Sequence, residues 1–181
     1  MRMKLVLPLA APLAAALLLA GCGKSADQPK TPEQAVAEAS KMEKPEPGKY
    51  RSSVKVTEFD IPGLSAEQKA QMKGMIGGKE GQAHEFCLKP EDVAKGYEEM
   101  VKKSSEGNCK FDKFNAASNT LDAKMVCDMG NGMKSEIAMQ GTTSSTGSKM
   151  VMDINHSAPN IPGGKMHTKM EVTNERIGDC D

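Results

Sequence analysis

The chain has 181 residues, with 24 basic and 24 acidic side chains, so its formal net charge is zero. This balance argues against nucleic acid as a partner, because binding to phosphates needs a basic face. Methionine is abundant at 14 residues, whereas the aromatic residues are only two Tyr and four Phe, with no Trp. We therefore expect methionine to fill much of the core space that aromatic rings usually fill.

The first 21 residues have the order of an exported signal peptide. Arg2 and Lys4 give a basic start, and residues 5–19 form an apolar run too short to span a bilayer. The run closes on Leu-Ala-Gly-Cys at 19–22, the pattern of a bacterial lipoprotein signal. We therefore predict cleavage before Cys22 and acylation of Cys22, which would hold the protein to the membrane on its periplasmic side.

The residue after the predicted lipidation site indicates whether the lipoprotein is anchored in the inner or the outer membrane. Gly23 stands there, whereas an Asp at this position resembles an inner-membrane retention signal in lipoproteins of Gram-negative bacteria. Gly23 therefore favours the outer membrane. The alternative is an ordinary secretory signal with a chance cysteine near its cleavage site.

Residues 22–46 are predicted to be a lipidated N-terminus and a flexible tether, because they are polar, proline-rich and offer little to bury. A short helix from about Pro32 to Met42 fits inside them. Thr31, Pro32 and Gln34 supply its N-cap, its N1 proline and its capping-box glutamine. Residues 47–181 are then predicted to form a single domain.

The predicted domain begins with two strands, each followed by a helix. Residues 50–59 alternate polar and apolar side chains, which is typical of a half-buried strand. A second capping box at Ser65 predicts a helix to about Ile76. Residues 79–88 form the second predicted strand, and Pro90 begins a helix to about Lys103.

From residue 109 onward the chain is rich in predicted strands. Alternating segments are separated by short polar turns, which indicates an antiparallel meander. The predicted fold class is therefore α+β: a curved antiparallel sheet or partial barrel of about six to eight strands with two short helices, stapled by two disulfides.

Four cysteines remain besides the one in the signal, and an even number in an exported chain indicates a disulfide framework. No CxxC motif and no zinc spacing occur. The preferred pairing joins Cys87 to Cys109 over a helix and Cys127 to Cys180. The rival pairing joins Cys109 to Cys127 across a hairpin and leaves Cys87 for Cys180.

Short motifs are distributed along the predicted domain. They are Pro-Gly-Lys-Tyr at 47–50, Cys-Leu-Lys-Pro-Glu-Asp at 87–92, Cys-Lys-Phe at 109–111, Met-Val-Cys at 125–127 and Arg-Ile-Gly-Asp-Cys at 176–180. Together they resemble the domain of unknown function 3617 family of exported and lipid-anchored proteins, over about residues 45–181. The resemblance implies a β-rich fold with disulfides and no assigned catalytic residue. Two positions depart from the family pattern: Tyr50 stands where Trp is usual, and Lys89 where Thr would cap a helix.

The alternating methionines support a first binding hypothesis. A curved sheet capped by helices leaves room for an apolar cavity, and methionine walls adapt to flexible ligands such as acyl chains. The predicted lining consists of Met125, Met139, Met152 and Met170. The plainer interpretation is a filled core with no cavity.

A second hypothesis concerns soft metal ligands, because thioether and imidazole groups select Cu(I). The candidate ligands are Met150, Met152, His156, Met166 and Met170. The alternative is again that these methionines belong to the core, and we predict neither a resident metal nor a cofactor.

Hydrolytic motifs such as GxSxG and HExxH are absent from the sequence, and its three histidines are isolated. The sequence therefore predicts a non-enzymatic envelope lipoprotein that acts as a binding or structural module. A hydrophobic-ligand carrier and a periplasmic Cu(I) binder are the alternatives. The predicted partners are the membrane, through the N-terminal lipid, and an envelope protein or lipid.

Overall fold

The computed structural model describes residues 28–76 and 83–180. The predicted signal peptide, the lipidation site Cys22 and residues 77–82 lie outside the described residues. In the described part of the chain, no helix is long and apolar enough to cross a membrane.

Three α-helices and seven strands make up most of the described chain. In chain order they are α1 (Pro32–Ala39), β1 (Gly48–Asp60), α2 (Ala66–Ile76), β2 (Ala83–Leu88), α3 (Pro90–Glu106), β3 (Cys109–Ala116), β4 (Thr120–Gly130), β5 (Met133–Ser144), β6 (Gly147–Ser157) and β7 (Lys165–Gly178). A 3-10 turn, Pro162–Gly164, lies in the loop before β7.

All seven strands form one antiparallel sheet in the order β2-β1-β7-β6-β5-β4-β3. Strands β3 to β7 run as a meander joined by short connections, and β7 then pairs with β1. The sheet is open, with β2 and β3 at its two edges. The predicted antiparallel α+β fold and its strand number are confirmed.

The two faces of the sheet differ in polarity, because side chains alternate between faces along each strand. One face carries the helices and the buried apolar residues, and we call the opposite one the outer face. Ion pairs cross the outer face between neighbouring strands, with Lys113 Nζ 2.7 Å from Asp122 Oδ2 and Lys124 Nζ 2.6 Å from Glu136 Oε1. The helix-bearing face is therefore the apolar side of the molecule.

A β-bulge in β3 changes which side chains reach the helix-bearing face. Phe111 pairs with Met125 and Phe114 pairs with Ala123, with a register shift between Phe111 and Lys113. Strict alternation predicts that the two phenylalanines point to opposite faces, whereas the extra residue in the bulge turns both to the same face. Their rings are 5.3 Å apart in an edge-to-face arrangement, and both are buried.

Helix α1 belongs to the folded core, so the prediction of a flexible tether through residue 46 is wrong from Lys30 onward. The backbone N–H of Lys30 donates to the carbonyl of Phe111 at 2.9 Å, and Ala35, Ala39 and Met42 are buried. Helices α1 and α3 pack on each other and on β3. The packing of α1 could not be predicted from the sequence, because the helix is short and its buried side chains are mostly small alanines.

The helix starts were predicted well. The capping box at Thr31 forms as expected, and Ser65 and Gln68 make the matching pair of bonds before α2. Helix α3 starts at Pro90 and continues to Glu106, three residues past the predicted end. Its N-cap residue makes no side-chain bond, as expected for a lysine.

The preferred disulfide pairing is wrong and the rival pairing is correct. Cys109 bonds to Cys127, directly opposite it in the β3–β4 hairpin with Cα atoms 4.0 Å apart, and Cys87 bonds to Cys180. The predicted Cys87–Cys109 bond would have to join β2 to β3. These strands are the opposite edges of the sheet, six strand spacings or roughly 29 Å apart as measured along the sheet.

The second disulfide follows from the position of β1. Strand β1 lies between β2 and β7, and Lys49 pairs with Cys87 on one side and with Gly178 on the other. The chain after Gly178 therefore needs to pass only the end of β1 to bring Cys180 to Cys87. The Cα atoms of this pair are 5.7 Å apart.

Candidate functional site

The helix-bearing side of the central strands β5, β6 and β7 is lined with methionine. Met139, Met152 and Met170 lie directly opposite one another on these three adjacent strands. We define the methionine face as six half-buried apolar residues: Met139, Met150, Met152, Ile154, Met170 and Val172.

The helices contact this side of the sheet unevenly, and α3 crosses from β2 to β3, the two edge strands. Helices α1 and α3 contact β3, and α2 contacts β1. Met139 and Met150 pack against the core cluster under α1 and α3, whereas Val54, next to Val172, is 37% exposed. The methionine face therefore runs from the edge of the core into solvent-accessible surface.

The structure brings together three of the four residues predicted to line an apolar cavity. Met139, Met152 and Met170 share one cross-strand row, whereas Met125 lies opposite Ile137 in the next row and packs against the core cluster. All four side chains are half-buried. They line a surface in contact with solvent.

A glycine on β5 leaves space for a methionine side chain on this face. Gly141 lies opposite Met150, and a Cβ atom built on Gly141 would stand 2.7 Å from Met150 Sδ. The same Cβ atom would stand still closer to the carbonyl oxygen of Lys149, so any larger residue would displace the β6 backbone as well as the thioether. Glycine therefore lets the Met150 side chain lie over β5.

Polar rows bound the methionine face at both ends of the strands. At one end Asn174 Nδ2 donates to Ser148 Oγ at 2.9 Å, and Thr143 lies opposite Ser148. At the other end His156 lies opposite Ser135. The two rows lie eight positions apart along β6, which corresponds to roughly 27 Å. The apolar surface therefore has a defined length along the strands.

A cavity of about 480 Å³ lies at the second of these ends. It is bordered by, among others, Asp60, Pro62, Lys134, Ser135, His156 and Met166. Ser135 Oγ and His156 Nδ1 are buried and have no hydrogen-bond partner among the described residues. The hydroxyl and imidazole are therefore neighbours that do not bond to each other, although a Ser–His nucleophile pair relies on such a bond.

Sequence reasoning missed the proximity of Ser135 and His156. The two residues are far apart in the chain, and only the β5–β6 register places them opposite each other. No catalytic motif surrounds either residue, so no sequence signal pointed to the pair.

The predicted Cu(I) ligands fall into two separate groups. Met150, Met152 and Met170 lie on the methionine face, whereas His156 lies opposite Met166 near the sheet end. Met152 and His156 lie four positions apart along β6, or roughly 13 Å. In the part of the chain that the structure describes, no three His, Cys, Asp or Glu side chains are grouped to hold a metal.

Charge is concentrated on the outer face. The hydrogen bond from Lys113 lowers the pKa of Asp122, and the hydrogen bond to Glu136 raises the pKa of Lys124. Both shifts favour the ionised forms, so this surface stays charged and hydrated. The residues of the methionine face are all uncharged, so an apolar ligand would meet no ionised group among them.

Comparison with protein families gives one result. A family model described as "Protein of unknown function (DUF3617)" matches residues 45–180, about three quarters of the chain. Neither the curated proteins nor the solved structures include a match.

Proposed function

Because the chain belongs to the DUF3617 family, whose function is unknown, we propose its function from its own geometry. It is a non-enzymatic envelope lipoprotein whose methionine face binds the apolar chain of a lipid. The observation that carries this proposal is the row of three thioether side chains, Met139, Met152 and Met170, on adjacent central strands.

Methionine suits this role for a physical reason. Its side chain is unbranched and polarisable, so it adjusts to a flexible ligand with little strain. Each apolar area of 100 Å² that an acyl chain removes from water contributes roughly 2.5 kcal/mol. An apolar surface bounded by polar residues is also a common mark of an interaction site.

The composition of the face favours a hydrocarbon chain. The face extends from Met150 to Ile154 along β6 and from β5 to β7 across the sheet, between two polar rows. Its uncharged thioether and aliphatic side chains match the apolar part of a lipid. The polar row with Ser148 and Asn174 offers hydrogen bonds to the polar end of such a molecule.

The anchor and the compartment are proposed from the sequence. The Leu-Ala-Gly-Cys pattern at 19–22 supports lipidation of Cys22, and Gly23 supports the outer membrane. The two disulfides support an oxidising compartment such as the periplasm. The Cu(I) alternative has less support, because its predicted ligands lie in two groups.

A charge placed on the methionine face should abolish binding. In a form of the chain that begins at residue 23 and so lacks the lipidation site, with both disulfides formed, Met152→Lys should weaken binding of a fluorescent long-chain fatty acid at least tenfold. An ammonium group would lose hydration beneath the apolar chain, and a tenfold loss is about 1.4 kcal/mol. A fluorescence titration measures the change.

The matched control is Val151→Lys, on the same strand. Val151 is also half-buried but points to the outer face, so its replacement should change the affinity less than about twofold. Equal losses in the two variants, or no saturable binding by the unmodified chain, would refute the proposed ligand site.

A further inference from the structure

The folded body begins close to the proposed anchor. Lys30 bonds to Phe111 on β3, and α1 starts two residues later within the core. Only seven residues, 23–29, separate Lys30 from Cys22. The connection to the lipid is therefore much shorter than a tether that runs to residue 46.

This length sets an upper limit on the distance between the domain and the bilayer. A chain spans at most about 3.3–3.6 Å per residue, so the Cα atoms of Cys22 and Lys30 are at most roughly 29 Å apart. That limit holds for any arrangement of the intervening residues. The point where the domain is attached is thus kept close to the lipid headgroups.

The attachment point lies at one edge of the sheet. Lys30 pairs with β3, which is an edge strand, and β2 is the opposite edge. Six strand spacings, roughly 29 Å measured along the sheet, separate β2 from β3. The β2 edge therefore lies farther from the attachment point at Lys30 than the β3 edge does, by about the width of the sheet.

We propose that the domain stands on the bilayer with its β3–α1 edge, and that the leaflet holding the Cys22 anchor is its partner surface. This inference rests on the lipidation in the proposed function. The β2 edge, with its disulfide to Cys180, points into the periplasm. A ligand of the methionine face is then taken from, or delivered to, the membrane that carries the anchor.

Single tryptophans test this orientation, because the chain has none of its own. Asp112→Trp reports on the β3 edge and Ala83→Trp on the β2 edge, and both native residues are exposed. Each lipidated full-length variant is placed in vesicles containing a lipid with a quenching headgroup. We expect about twofold stronger quenching at position 112 than at position 83, because the two edges lie about one sheet width apart.

The controls separate this inference from the lipidation itself. Mass spectrometry of each variant reports the acyl groups on Cys22, and Cys22→Ala should abolish quenching at both positions. A Gly/Ser-rich spacer inserted after Gly23 should weaken the quenching at position 112. Lipidated protein with equal quenching at both edges, or stronger quenching at position 83, would overturn the orientation. An unacylated Cys22 would overturn the lipoprotein proposal and this inference with it.

Discussion

Replacing Cys87 and Cys180 together with serine should lower the free energy of unfolding by about 4–5 kcal/mol. This disulfide joins residues 93 positions apart, so it restricts the unfolded chain strongly. It also ties an edge strand to the last residues of the chain. Among the described residues, β2 has six residues and pairs with β1 alone, so it depends on this link.

The matched comparison is the double serine variant at Cys109 and Cys127. That bond spans 18 positions, and the same chain-entropy model gives about 3 kcal/mol. Urea unfolding of the oxidised proteins, followed by circular dichroism, measures both losses. A larger loss for the 109–127 pair than for the 87–180 pair would contradict the loop-length account.

Replacing Phe114 with alanine should lower the free energy of unfolding by about 3–5 kcal/mol, because it removes a large side chain from the centre of the core. Phe114 is 2% exposed and meets the ring of Phe111 edge to face. Helices α1 and α3 pack onto this strand, so they cannot collapse into the space without losing their own contacts.

Phe86→Ala is the control for this prediction. Phe86 is half-buried on the edge strand β2 and stacks on Tyr50 with ring centroids 5.8 Å apart. Phe86→Ala should lower the free energy of unfolding by less than half as much as Phe114→Ala, because the space left by the Phe86 ring opens to solvent. Urea midpoints at constant m-value measure both effects. Equal costs would mean that the core is not centred on Phe114.

Local signals predicted the helices and most of the strands. The capping boxes at Thr31 and Ser65 and the proline at position 90 fixed three helix starts, since each acts within one turn. Strand alternation depends only on neighbouring residues, so it located β1 and the strands of the meander.

Non-local features could not be predicted in the same way. The bulge that turns Phe114 toward Phe111 depends on pairing with β4, and the partner of Cys87 depends on which strand lies between β2 and β7. The packing of α1 depends on small side chains, Ala35 and Ala39, that carry little hydrophobic signal. Each of these is set by the tertiary arrangement.

In the candidate site, too, local features could be predicted from the sequence and non-local features could not. Alternation placed Met139, Met152 and Met170 on one side of their strands, but only the register puts them in one row. The register also separates the predicted metal ligands and brings Ser135 next to His156. Alternation along one strand predicts which face each side chain points to. Which residue lies beside it on the next strand depends on the register between the two strands.

Methionine methyl NMR is the most direct test of the central claim, that the methionine face binds an apolar chain. The mature chain carries 13C-methyl methionine and is titrated with a long-chain fatty acid. We predict saturable shifts at Met139, Met152 and Met170, with no change at Met75 and Met129, which are 71% and 56% exposed elsewhere on the surface. Shifts confined to Met75 and Met129, or none at all, would contradict the account.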